Sequence, residues 1–232
     1  MSGLGGTVPA GGLIAVSLTG SPAAASLAQT LIIIGAATAS LPLAKVVLLH
    51  GRRIALTFGL AISALGALII LSGSILQNVF IVYFGCAVFG VVSTAIYQGR
   101  YTATDLAQED HRARALSWVV WAGTIGAVLG PNLLYISDAL GESFGLPDMG
   151  GPYVVAAIAI AIGAIIIYTR LKPDPYLIAT TKRNGSQQAP SRHKLSDAVA
   201  QLKDKPRAIL GIASLAIAMA VLVMLTDRKS VV

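Results

Sequence analysis

Two arginines behind a glycine, His50-Gly51-Arg52-Arg53, are the residues of this chain best suited to hold charge in a fixed place. A tight glycine turn followed by paired guanidinium groups can anchor helix ends to one another and to anionic lipid headgroups, because each guanidinium presents a planar fork of donors. A plain cluster of orienting charge is the other reading. Gly126 and Gly130, four apart and followed by Pro131, act by shape. The glycines clear a groove for a neighbouring helix, and the proline removes a backbone donor and bends its own. A generic small-residue packing face is the plainer account. Cys86, Phe89, Ser93 and Tyr97 recur at three- and four-residue spacing, so on a helix they share one face. That face offers a thiol, rings and hydroxyls, either to a ligand or to another helix. Arg100 and Asp105 can pair across a helix end or simply mark the membrane edge.

Catalytic and metal chemistry find no footing. His50, His111 and His193 lie in three separate charged segments, with no carboxylate or cysteine grouping that would hold a metal. No G-x-x-x-x-G-K-[ST] loop is present to cradle phosphates, so direct ATP drive is not encoded. We expect no enzyme, cofactor or metal. Cys86 is the single cysteine, which rules out an internal disulfide. Asn184-Gly185-Ser186 has the glycosylation form but reads as a flexible piece of a cytoplasmic loop.

These residues must be positioned by membrane helices. A soluble chain of 232 residues with 55% hydrophobic residues, 12% charge and a mean hydropathy of +0.76 could not cover its core with polar surface. No charged residue occurs in Met1–Ala44, Ile54–Gly99, Ala115–Ser137, Met149–Thr169 or Ala208–Thr226. The first two stretches exceed one crossing. Leu18 to Pro22 and Ser72 to Asn78 punctuate them with turn-forming residues. Seven helical spans result, at roughly 4–18, 22–45, 54–73, 78–99, 115–137, 151–170 and 208–226, since about 20 residues of helix cross about 30 Å of hydrocarbon. Twenty-four glycines suit helices that must approach closely, because lipid supplies no hydrophobic drive to press them together.

Charge orients the spans. Lys45, Arg52 and Arg53, then Arg100, Arg112 and Arg114, then nine basic residues from Arg170 to Arg207 occupy alternate gaps. The intervening gaps are uncharged or hold Asp138, Glu142 and Asp148. By the positive-inside rule the basic gaps are cytoplasmic, which also accounts for the net charge of +7 without nucleic acid. Within the last basic loop Leu195, Val199 and Leu202 share a face among charged neighbours, which predicts a short amphipathic helix on the inner membrane surface, ended by Pro206. Met1 abuts the first apolar run with no basic residue before it, unlike a signal peptide. That first span is short, which leaves the natural start open upstream.

Six spans, a long basic loop and another span resemble the layout of a major facilitator superfamily transporter. His50 to Arg53 is similar to the end of that superfamily's G-x-L-A-D-R-x-G-R-R loop signature, although Leu48 and Leu49 stand where its Asp and Arg would be. Gly126, Gly130 and Pro131 resemble the helix-five signature of its exporters. The segments Arg100 to Ala107 and Arg112 to Ser117, with the external Leu18 to Pro22, look like one bacterial group of members. The resemblance implies a six-helix bundle of two inverted three-helix repeats, with a substrate path between two such halves faced by helices one and four. Cys86, Phe89, Ser93 and Tyr97 are then candidates for that path, and Cys86 stands about where many exporters of the family place a proton-coupling Arg. No charge lies in mid-span here, so proton coupling falls to the other half or is arranged differently.

The expectation is an all-α membrane protein: residues 1–170 an N-terminal transmembrane bundle, 171–207 a basic cytoplasmic linker, 208–226 a seventh span and 227–232 a foreign tail. Asp227 to Val232 matches the translation of a common sequencing adapter, and Arg228 and Lys229 alone break the charge rule. A multi-pass protein of the bacterial inner membrane is implied, an exporter of a small amphipathic molecule whose partners are substrate, lipid and its own missing C-terminal half. Complete, it is expected to be a monomer. The competing expectation is a six-helix scaffold that transports nothing.

Overall fold

The computed structural model describes residues 4–105, 111–147, 149–172, 174 and 214. Its chain divides into two compact units, Met1–Arg183 and Asn184–Val232. In the second only Ser214 is described, in a helical turn. The amphipathic helix, the tail and all of the seventh span except Ser214 therefore lie outside the described residues.

The first unit is all helix among its described residues: α1 (Leu4–Thr19), α2 (Ala23–Ile75), α3 (Val79–Phe89), α4 (Val91–Asp105), α5 (Arg112–Ser143) and α6 (Gly150–Arg170). The helical stretches Ala23–Ile75, Val79–Arg100 and Gly150–Arg170 are long and apolar enough to cross a membrane, and Ala10–Thr19 and Leu116–Gly130 are shorter apolar ones. The protein is thus a multi-pass, all-α membrane protein.

Two of the expected spans, 22–45 and 54–73, form one element. A straight helix of 53 residues would run for about 80 Å, more than twice a bilayer core. Instead α2 breaks at Gly51, whose backbone alone is non-helical within it (φ 86°, ψ 175°). The two arms fold back on each other, since a Cβ at Gly59 would meet Leu43 Cδ2 at 3.3 Å, and Leu43, Val47 and Ala55 pack together with Ala95 of α4. Helix runs further into the expected loop than the charges suggested, because Val46 to Leu49 contain no breaker.

Local chemistry sets the other ends. Gly20 turns the chain at φ 70° and Pro22 precedes the first turn of α2, where its missing donor costs nothing. Asn78 caps α3, accepting from the amides of Phe80 (3.0 Å) and Ile81 (3.4 Å). Asp138 accepts from the Met149 amide at 2.7 Å, holding the turn into α6.

The core collects Ala10 and Ile14 of α1, Ala28, Ile32, Ala67 and Ile70 of α2, Val82, Cys86 and Phe89 of α3, and Tyr153 and Ala157 of α6. Backbone approaches backbone where α2 crosses α3. A Cβ at Gly35 would fall on the Ala87 carbonyl, and one at Gly90 on the Ile32 carbonyl. The Thr94 hydroxyl adds a bond across the same crossing, donating to the Ala36 carbonyl at 2.8 Å.

Candidate functional site

The basic turn is the most fully built site. Arg52 begins the second arm of α2, so its amide and that of Arg53 are among the first donors of a helix and have no partner within it. Asp174, just past α6, supplies one: its carboxylate accepts from Arg52 N at 3.2 Å and from Arg53 N at 2.8 Å. The guanidinium groups diverge. Arg52 donates through Nη1 to Gln98 Oε1 on α4, while Arg53 lies over the ring of Tyr168 on α6, 4.7 Å from its centroid. Lys172 approaches the same ring at 5.8 Å. Three helices meet at this end of the bundle through two arginines and one acid.

Further along the same end, Arg100 is half-buried and stands 5.7 Å from the ring of Tyr97. Asp105 closes α4, and Arg112 opens α5 with Arg114 exposed two residues on. The expected Arg100–Asp105 pairing falls on the Asp105 side chain, which lies outside the described ones. Leu48 and Leu49, at the positions of the signature's Asp and Arg, are 61% and 70% exposed.

The expected face of helix four runs across the junction of α3 and α4, because Gly90 between them keeps helical backbone (φ −53°, ψ −24°) and Val79–Arg100 is one helical stretch. Cys86 and Phe89 are fully buried in the core, and Phe89 meets the Tyr153 ring edge-on, with centroids 6.0 Å apart. A Cβ at Gly11 would touch both the Tyr153 hydroxyl and Cys86 Sγ, so α1 closes over the pair. Ser93 is half-buried and Tyr97 is 43% exposed. Exposure thus rises along the stretch, from Cys86 and Phe89 packed beneath α1 and α6 to Tyr97 toward the basic end.

Gly126 and Gly130 are both half-buried in α5, and Pro131 falls inside that helix. α5 packs on α1, α4 and α6. Its approach to α6 is tightest at its far end, where a Cβ at Gly151 would fall on the Ser137 carbonyl. Nearer its start Trp118 and Trp121 stand edge to face at 5.8 Å and, with Arg114 and Ser117, line an open cavity of about 480 Å³. Among the described residues no group of His, Cys, Asp or Glu could hold a metal ion.

Asp174, Gln98, Tyr168 and Tyr153 were not anticipated. Asp174 did carry a signal, as the first acid after the sixth span in a loop of nine bases. Gln98 and Tyr168 look like ordinary helix-end residues, and Tyr153 like one more interfacial aromatic.

Known proteins agree with this architecture. The family model for the Major Facilitator Superfamily matches residues 1–227. The uncharacterized MFS-type transporter YdeG of Bacillus subtilis (strain 168) is 31% identical over 210 residues, covering 90% of this chain and 49% of its own length. YddS, another uncharacterized MFS-type transporter of that organism, is 32% identical over 187 residues, or 81% of this chain and 43% of its own. The riboflavin transporter RfnT of Brucella anthropi is 28% identical over 174 residues, 75% of this chain and 44% of its own. The chain thus spans about half the length of the curated relatives it matches. No solved structure matches it. With the family matched along nearly all of its residues, the chain belongs to the Major Facilitator Superfamily.

Proposed function

We propose that this chain is the N-terminal part of a secondary transporter that exports a small amphipathic organic molecule by alternating access across a bacterial inner membrane. The observation that carries the reading is family membership over residues 1–227. The helices α1 to α6 are the first six-helix bundle, residues 208–226 are the seventh span, and a second bundle of the same transporter closes the path from the other side. The relatives, about twice as long as this chain, support that arrangement. The fragment by itself inserts without transporting.

An amphipathic cargo is supported by the absence of charge from the described core, whose buried polar groups are Ser63, Ser74, Thr94 and Ser137. A mid-membrane charge is costly and usually functional, and an ionic cargo would call for one. Ser93 and Tyr97 keep surface for the path, and the two indoles beside Arg114 offer a planar aromatic molecule a stacking wall. Export, not uptake, is inferred from the glycine-proline helix, with Pro131 as its bend. Direct ATP drive and enzymatic chemistry have no place in this scheme.

Uncharged helix interiors also suit a scaffold that moves nothing. Cells carrying the complete gene, loaded with a fluorescent amphipathic dye, separate the two readings. Efflux faster than in a deletion strain and slowed by a protonophore supports the transporter. Equal retention in both strains, across a panel of dyes and drugs, leaves the scaffold.

A further inference from the structure

We propose that Asp174 is a positioning residue of the cytoplasmic gate: its carboxylate caps the second arm of α2 and supplies, from beyond α6, the acid that the loop signature lacks at Leu48. Three observations meet at this point. The carboxylate accepts from two successive first-turn amides, those of Arg52 and Arg53, across more than a hundred residues of chain. A negative group there satisfies orphan donors and opposes the positive end of the helix dipole. Gly51 is fitted to the same carboxylate, because its φ of 86° disfavours any side chain and a Cβ on it would collide with the Asp174 carboxylate. Finally, the capped turn launches Arg52 toward Gln98 on α4 and Arg53 onto Tyr168 on α6.

Capping therefore does more than stop a helix from fraying. It fixes the direction in which two guanidinium groups leave the bundle end, and so ties α2, α4 and α6 at one point. Leu48 and Leu49 cannot contribute, being apolar and largely exposed. An acid placed after α6 joins the break in α2 to the end of the six-helix segment, which an acid at position 48 within α2 would not. The cap itself rests on geometry alone; its part in gating rests on the transporter reading above.

Thiol labelling in membranes tests the cap without requiring transport. Val47, 5% exposed beside the break, becomes the reporter as Val47→Cys in a Cys86→Ser background, read with a membrane-impermeant maleimide on inside-out vesicles. Asp174→Ala should speed labelling about fivefold or more, the loosening expected when a helix loses its cap. Asp174→Asn, which keeps an acceptor, should fall closer to wild type. Gly51→Ala should match Asp174→Ala by evicting the carboxylate, and the double variant should be no worse than either, as for two changes that break one contact. In parallel Asp174 and Gly51 variants that keep Cys86 and lack Val47→Cys, the buried Cys86 should stay unlabelled, which shows the bundle intact. Unchanged labelling in Asp174→Ala, or additive effects in the double variant, would overturn the cap. In the complete transporter Asp174→Ala should lower the maximal rate at unchanged KM and membrane abundance, with Asp174→Asn partly restoring it. A normal rate despite faster labelling would overturn the gating role. A wild-type protein that moves no substrate would instead defeat the transporter reading and leave the labelling result standing.

Discussion

Replacing Gly35 by alanine adds one methyl group to a helix in lipid, and the structure states what that methyl meets: the Ala87 carbonyl on α3. Backbone cannot rotate aside as a side chain would, so α2 and α3 must separate. Overpacking of this kind costs about 1–3 kcal/mol. Separation also stretches the Thr94 to Ala36 hydrogen bond, now 2.8 Å, a loss of about 0.6–1.7 kcal/mol within a membrane bundle. The sum, about 1.6–4.7 kcal/mol, corresponds to about a 14- to 2,000-fold rise in the open fraction at this crossing. Cys86 reads it directly, being the only cysteine, fully buried, and next to Ala87. A fluorogenic maleimide added to the purified chain in micelles should react with Gly35→Ala faster by that factor, provided reaction follows local opening. Gly99 and Gly163 provide the control, because a Cβ at either meets nothing within 4 Å. Their alanine variants should label at or below the wild-type rate, alanine being the better helix former by about 1 kcal/mol. Labelling of Gly35→Ala within twofold of wild type would refute the account, as would equal acceleration by Gly99→Ala.

A periplasm-active reporter fused near Glu142 should be active and one near Ser186 silent, because fifteen basic residues lie in the alternate gaps; the reverse pattern overturns the topology. In the complete transporter, Pro131→Ala should leave membrane abundance near normal while transport falls, since a backbone donor returns and the helix straightens. Full transport in that variant would demote Gly126, Gly130 and Pro131 to packing. Asn78→Ala removes the α3 cap and should cost about 1 kcal/mol, read as faster amide exchange at Phe80 and Ile81 with little change at Cys86; uniform loss of protection would contradict a local role.

What the sequence discloses here is governed by charge and length. The apolar helices of the first unit were legible because a bilayer sets the number of apolar residues a span needs, and that does not depend on partners. Gly51 was legible as a turn because it sits beside two arginines. Its sharpness was not, because helix up to His50 and again from Arg52 is set by an acid at position 174. A helical period likewise places Cys86, Phe89, Ser93 and Tyr97 on one face. It says nothing of which neighbour that face meets. Contact partners far apart in sequence have no local signature, so the packing of Tyr153 on Phe89 and of Gly90 on the Ile32 carbonyl could not be read from the period.

Two kinds of contact hold this unit together, and they divide the labour. Along the bilayer depth α2 and α3 adhere by shape, with glycines meeting carbonyls, because lipid tails are as apolar as leucine and reward only close fit. Such contacts are short-ranged and all-or-none: a methyl group breaks them, and a small rotation of one helix does too. At the basic end the contacts are polar and span longer side chains, from Arg52 to Gln98, Arg53 to Tyr168 and Asp174 to two amides. Those can lengthen and re-form as side chains change rotamer. A unit built this way is stiff where its helices cross and adjustable at its basic end.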